Sequence, residues 1–290
     1  MPLLKWKSMQ VFLTAYAALA PAAGRAQSAI ANADVEPPCA PAGDMLTAKP
    51  FLDRIVEPGH SFSLSGIPVD VLAKVAATAK AQVDQQAKDW PNLCRYRDQN
   101  EAVAHSATHP RVIFLGDSIT EFWQVAQPDY FTDQVLDRGI SGQTTPQILL
   151  RFYQDVVALH PLVVHIMAGT NDVAANTGLE SDETILNNIR SMIDLAQSNH
   201  IRVVLASIPP TKAMNWRPNV KPAERIQRLN RQLRAIAAGR HVVFVDYTPL
   251  LRDAEDGFRA DLSNDGVHPN RSGYDLMRPE AERAIAQAMR

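Results

Sequence analysis

Two cysteines, Cys39 and Cys94, are all that the 290 residues contain, which excludes a disulfide-dense scaffold. Neither has the surroundings of a nucleophile or a metal ligand. His-x-His, His-Glu-x-x-His and Cys-x-x-Cys spacings are also missing, so the chain offers no metal-ligating motif and calls for no cofactor. Basic charge is not in excess: 29 Lys and Arg face 31 Asp and Glu, for a formal charge of −2, and no nucleic-acid surface is indicated. No apolar run is long enough for a comfortable membrane span, and no internal repeat is visible. What is present is a 46% hydrophobic chain, enough for one large core or for a domain plus an extension.

The two ends differ in kind. Residues 1–26 carry Lys5 and Lys7, an apolar stretch from Met9 to Ala20, then Pro21 and a small-residue close at Gly24-Arg25-Ala26. This reads as a secretory signal cleaved after Ala26, with an uncleaved anchor as the alternative. Its removal takes away Lys5, Lys7 and Arg25 and no acid, moving the formal charge from −2 to −5. A periplasmic or secreted location, with no stable membrane anchor, is therefore expected. In an exported chain the even pair Cys39 and Cys94 reads first as a disulfide, two separate buried thiols being the alternative.

Residues 27–107 form an N-terminal extension. From Gln27 to about Phe51 it is rich in Ala, Pro and Asp and reads as an extended arm. Leu72, Val75, Ala79, Val83 and Ala87 recur at near-helical spacing, predicting a helix over 69–89 that Pro91 closes. A second helical stretch covers about Asn92 to His105. Large apolar groups are too few for this region to fold alone, so it should pack on the domain that begins at residue 108, with Trp90 and Tyr96 as packing anchors.

From residue 108 to the C-terminus the pattern is regular. Apolar runs at 111–115, 134–137, 162–167, 202–207 and 242–246 are rich in β-branched residues and lack polar alternation, as in buried parallel strands. Between them lie amphipathic helices. Ser181 caps one with the stripe Ile185, Leu186, Ile189, Met192, Ile193 and Ala196. Pro146 begins another, with Ile148, Leu149, Phe152, Val156 and Val157 on one side. The fold class is thus α/β, a three-layer α/β/α domain around a five-stranded parallel sheet.

The strand ends carry the chemistry. Gly116-Asp117-Ser118-Ile119-Thr120 follows the first run and puts a hydroxyl where open α/β sheets place their ligands. Asp265-Gly266-Val267-His268-Pro269 supplies a carboxylate and an imidazole three residues apart. A hydroxyl becomes a nucleophile when a base takes its proton and a third group fixes that base; Ser118, His268 and Asp265 are those residue types. Ile140-Ser141-Gly142 offers a backbone N–H unobstructed by a side chain. Gly169-Thr170-Asn171-Asp172 offers a carboxamide. Ser118 N–H, Gly142 N–H and Asn171 would make donors for an acyl-transfer oxyanion, each worth roughly 3 kcal/mol.

These four segments, in this order, resemble those of the SGNH (GDSL) hydrolases, over roughly residues 108–290. The resemblance implies the flavodoxin-like strand order, Ser118 as nucleophile, His268 as base, Asp265 as its orienter, and Ser118, Gly142 and Asn171 as the oxyanion hole. The Gly-x-Ser-x-Gly elbow of α/β-hydrolases is absent, since Thr120 stands at its second glycine. Asp117 and Asp172 read as carboxylates bonding local backbone, and His165, inside a strand run, as a core residue. A metallophosphoesterase built on Asp117, Asn171, Asp172, Asp265 and His268 is the rival enzyme, and a non-catalytic binding module the third reading.

Substrate features are expected beside the nucleophile and on the long 209–221 segment, which comes after the fourth strand run. Phe122 and Trp123 would crowd the acyl side; Trp216 and Arg217 offer a flat face and a cation for a sugar ring or polar head group. The expectation is an exported esterase acting on a small-molecule ester, with a short acyl group on a carbohydrate or other polar alcohol. A lysophospholipase or thioesterase for longer chains is the alternative.

Overall fold

The computed structural model describes Cys39, residues 49–60, Ser63, residues 65–106 and residues 109–290. The expected signal segment, and the arm apart from Cys39 and the residues from Lys49 on, lie outside the described residues. The extension contributes α1 (Lys49–Val56), α2 (Val69–Gln86) and α3 (Arg97–Ala104). α1 was not expected: residues 49–51 read as the end of an arm, yet they open a helix whose Leu52, Ile55 and Val56 are buried. Their apolar faces find partners only in the folded chain, so no local pattern announced them.

The sheet begins with β1 (Val112–Gly116), which leads through Asp117 into α4 (Ser118–Ala126), and β2 (Val135–Gly139) comes next. Then come the short helices α5 (Thr145–Leu150) and α6 (Phe152–Asp155), β3 (Val163–Met167), α7 (Thr170–Val173) and α8 (Asp182–Ser198). The chain closes with β4 (Arg202–Ala206), α9 (Ala223–Gly239), β5 (Val243–Val245), α10 (Thr248–Leu251) and α11 (Arg271–Ala288). All strand pairs are parallel, in the order β2-β1-β3-β4-β5. The three layers are those expected from the apolar pattern, and the flavodoxin-like strand order is the one the family resemblance implied.

Alternation along each strand feeds two cores. Ile113, Leu115, Val164, Ile166, Val203 and Leu205 face α5, α6, α8 and α9. Val112, Phe114, Val163, Met167, Val204 and Val245 face α1, α4 and α11. Because both faces are covered, the strands read as continuous apolar runs. The exception is β2, an edge strand whose Asp137 and Arg138 are both buried. Burial drives the Asp137 carboxyl up to about 8.

The helix expected from Pro146 through Val157 is instead two pieces, interrupted at Arg151. That side chain is fully buried. Its guanidinium donates to the carbonyls of Gly116 and Arg138 and to the side chains of Gln143 and Asp155. A buried cation must be hydrogen-bonded on every side, and here it ties together the ends of β1 and β2. α8 matches the sequence pattern closely: the Ser181 hydroxyl accepts from Thr184 N–H at 3.1 Å, and the six expected apolar residues are buried.

The extension is stitched to the same strand ends. Tyr96 is buried and its hydroxyl donates to the Gly139 carbonyl, while Asn100 bridges Arg138 and Asp155. Trp90 departs from its expected anchoring role: the residue is 42% exposed, and it is the Trp90 carbonyl that holds Gln147. Cys39 and Cys94 form a disulfide with Cα atoms 5.4 Å apart. Among the described residues, no helix is long and apolar enough to cross a membrane.

Candidate active site

The turn between β1 and α4 is shaped by its own sequence. Asp117 caps α4, its Oδ1 accepting from Ile119 N–H at 2.9 Å, as a short carboxylate does at a helix start. Ser118 therefore opens the helix at the carboxyl end of β1. Its Oγ lies 2.9 Å from His268 Nε2, and His268 Nδ1 lies 2.7 Å from Asp265 Oδ2. The three side chains expected from separate segments thus form one hydrogen-bonded series across 150 residues.

The loop bearing the last two holds itself together. Asp265 Oδ1 accepts from the N–H groups of Val267 and His268, at 2.9 and 2.8 Å. Ser263 Oγ accepts from Gly266 N–H. Burial works against a charge on Asp265, but the His268 imidazole and these hydrogen bonds hold its carboxyl below the usual range. Burial likewise works against a charged His268, yet the Asp265 carboxylate, its hydrogen bond and the Asp117 carboxyl together lift the imidazole above its ordinary 6.5. The Phe122 ring packs on the imidazole, with centroids 5.0 Å apart.

The donor side is assembled differently. Gly142 has φ +80°, a conformation that favours glycine. Next to it, Ser141 N–H and hydroxyl both donate to Glu121, a buried residue one turn along α4 from Ser118. Arg95 of the extension donates to the other Glu121 oxygen. Gln143 reaches the Pro91 carbonyl. Asn171, 4% exposed, directs its Nδ2 to the Gln143 carbonyl at 3.0 Å and Asp117 Oδ2 at 3.2 Å. Asp172, expected to bond local backbone, reaches further and accepts from Thr145 N–H and hydroxyl 27 residues away. It thereby ties the Asn171 turn to the start of α5.

Three substrate expectations change. Trp123 is fully buried against Phe114 and Tyr274, and its indole N–H donates to Gln127; it lies on the core side of α4 and belongs to the core. Trp216 and Arg217 turn their polar ends inward, the indole N–H to Asn176 Oδ1 at 3.2 Å and the guanidinium to the Ala175 carbonyl. They pin the 209–221 segment to the turn after Asn171. His165 is a core residue, with Nε2 2.9 Å from the Tyr247 hydroxyl and burial driving it down to about 3.

Glu121, Arg151 and Asn176 went unread in the sequence. Glu121 alone left a trace, a carboxylate three residues after Ser118 within an apolar helical stretch. Among the described residues, no three His, Cys, Asp or Glu side chains converge as a metal site.

Residues 114–276 match the GDSL-like lipase/acylhydrolase family. A protein from Bacteroides fragilis assigned to the acylhydrolases is 40% identical, covering 69% of this chain and 99% of its own, with a TM-score of 0.66. A GDSL-like lipase from Bacteroides thetaiotaomicron is 40% identical over 68% of this chain and 98% of its own, with a TM-score of 0.64. An acetyl xylan esterase, 24% identical over 60% of this chain and 98% of its own, shares the fold at a TM-score of 0.50. No curated protein matches the chain. With the matched segment spanning the Ser118, Gly142, Asn171 and His268 turns, the chain belongs to the GDSL-like lipase/acylhydrolase family and is a serine hydrolase of carboxylic esters.

Proposed function

We propose that this protein is an exported esterase that removes short acyl groups, acetyl foremost, from a carbohydrate or other polar alcohol. The observation that carries the chemistry is the series Ser118–His268–Asp265, joined at 2.9 and 2.7 Å. Ser118 Oγ attacks the acyl carbon while His268 Nε2 takes its proton. The carbonyl oxygen becomes an oxyanion facing Ser118 N–H, Gly142 N–H and Asn171 Nδ2, the last exchanging its long contact to Asp117 for the new charge. Collapse expels the alcohol, which takes the proton from His268 and leaves an acyl-Ser118. Water attacks the acyl carbon by the same route and releases the acid. Asp265 keeps His268 in the tautomer that presents a bare Nε2.

Support for a short acyl group comes from what lines the four turns. Their apolar side chains, Ile119, Phe122, Ile140, Val173 and Val267, are at most 3% exposed. Each methylene of a long acyl chain contributes about 0.8 kcal/mol only where it is buried against apolar surface, and these side chains offer almost none. The partly exposed residues beside these turns are the polar Ser141 and Asn176. Export is supported by the N-terminal sequence and by the Cys39–Cys94 disulfide, a bond of oxidising compartments.

A series of p-nitrophenyl esters from acetyl to palmitoyl, together with acetylated xylo-oligosaccharides, tests the substrate class. Acetyl and butyryl esters should exceed decanoyl and longer ones in kcat/KM, and acetylated sugars should be turned over. Preference for long chains would transfer the protein to the lysophospholipase or thioesterase class. Fractionation of cells producing the full chain, with mass analysis of the mature N-terminus, tests export and cleavage after Ala26.

A further inference from the structure

An oxyanion donor of the carboxamide type has a weakness that a backbone N–H lacks. The two ends of an Asn side chain are nearly identical in shape, and a half-turn about its last bond exchanges a donor for an acceptor. An Asn171 turned the wrong way would present a lone pair to the developing negative charge.

We infer that Asn176, oriented by Trp216, is a positioning residue that fixes the Asn171 carboxamide with its nitrogen toward Ser118. The inference rests on the reading of Asn171 as an oxyanion donor. Its logic begins at an end that cannot be reversed. An indole N–H only donates, and Trp216 Nε1 lies 3.2 Å from Asn176 Oδ1. Asn176 must therefore turn its nitrogen the other way. Nδ2 meets two acceptors there, Asn171 Oδ1 at 2.8 Å and the Gly142 carbonyl at 3.3 Å. With Asn171 Oδ1 occupied as an acceptor, Asn171 Nδ2 is left to face Gln143, Asp117 and the Ser118 turn. One donor-only side chain thus sets two amides in succession.

The backbone keeps the series in register. Asn176 N–H donates to the Asn171 carbonyl at 3.0 Å, and Arg217 holds the Ala175 carbonyl, so the 209–221 segment grips both residues of the turn. Because Asn176 touches Gly142 as well as Asn171, it joins two of the three proposed oxyanion donors. The partly buried Trp216 ring packs against the core on the α8 and α9 side, and its hydrogen bond is this inward one.

The test is a kinetic cycle on p-nitrophenyl acetate with Asn171→Ala, Asn176→Asp, Trp216→Phe and the double variant Asn171→Ala/Asn176→Asp, each checked for a wild-type melting curve. A carboxylate at 176 still accepts from Trp216 but has no hydrogen to give, so Asn171 Oδ1 loses its donor, meets a second acceptor instead, and the carboxamide is pushed out of its position. Asn176→Asp should lower kcat by roughly 10²-fold, like removal of an oxyanion donor, with KM within about twofold. Trp216→Phe keeps the packing, removes the donor, and should lower kcat by about fivefold, the size of one neutral hydrogen bond. The double variant should be no slower than Asn171→Ala, because the positioning role has nothing left to position. Wild-type kcat in Asn176→Asp beside an impaired Asn171→Ala would overturn the inference and leave the site reading intact. Multiplying losses in the double variant would do the same. Wild-type kcat in Asn171→Ala would remove the site reading and the inference with it.

Discussion

The two halves of the proposed active site are built by different means. The Asp265–His268 loop is local: Asp265 accepts from residues two and three positions on, and Ser263 from Gly266. The proposed donor half, around Gly142 and Asn171, relies on longer-range ties, from Ser141 to Glu121, Gln143 to the Pro91 carbonyl and Thr145 to Asp172, with Asn176 five residues from Asn171. A short loop can fix an acid–base pair because carboxylate and imidazole need only each other and a turn. Donors aimed at a charge that exists only in the transition state must be held in a fixed frame before that charge appears, and the frame around the proposed donors comes from three parts of the chain: the segment at Pro91, α4 and the turn at residues 170–176.

The strongest test of this contrast removes the one group both halves serve. Ser118→Ala should lower kcat by about 10⁴-fold or more with an unchanged melting temperature, and adding His268→Ala should lower it little further, since such residues act as a unit. Independent, multiplying losses would break the assignment. Next in size, Asn171→Ala should reduce kcat by roughly 10²-fold with little change in KM; a change confined to KM would make Asn171 a ground-state contact.

A smaller effect separates the halves directly. Glu121→Ala unties Ser141 without touching the His268 loop, and should lower kcat by about tenfold, as for a lost hydrogen bond to a charged group, while leaving the pH dependence in place. Replacing Cys39 and Cys94 with Ser should cost up to about 4 kcal/mol of unfolding free energy and lower kcat only a few-fold, through the segment whose Trp90, Pro91 and Leu93 carbonyls hold Gln147, Gln143 and Gln154. Denaturant titration checks the first, and steady-state kinetics the second.

The gentlest change concerns pH. His268 must be neutral to act as a base, and its imidazole is lifted above 6.5, so kcat/KM should fall on the acid side with a midpoint above 6.5. Asp117→Asn removes one of the charges that lift it and should move the midpoint down. Stability runs the other way. The protonated imidazole is favoured in the folded state, so its contribution is fully present below pH 6.5 and is lost as pH rises through the folded value. A midpoint that shifted with Glu121→Ala instead would mean that the halves are coupled.

The same contrast explains what could be read from the chain. The five strand runs, the α8 stripe and the Ser118 and Asp265–His268 turns are short-range patterns, set by alternation, helical spacing and turn chemistry within a few residues. The order β2-β1-β3-β4-β5 came from family likeness. α1 escaped notice because its apolar face is meaningful only against α4, and the break at Arg151 because a buried guanidinium needs the carbonyls of two strands. Trp123, Trp216 and Arg217 were misplaced because residue type tells what a side chain offers and nothing about the direction it faces.

By itself the sequence determined the layered α/β fold, the serine at a strand end, and the carboxylate and imidazole three residues apart, since each depends on neighbours along the chain. Tertiary structure alone decided that Ser118 Oγ and His268 Nε2 meet at 2.9 Å, that Glu121 and Asn176 hold Ser141 and Asn171 beside the proposed donors, and that the Trp216 indole N–H points inward. Those outcomes depend on groups well separated along the chain, up to 150 residues for Ser118 and His268, and only the packed sheet and helices bring them within hydrogen-bonding distance.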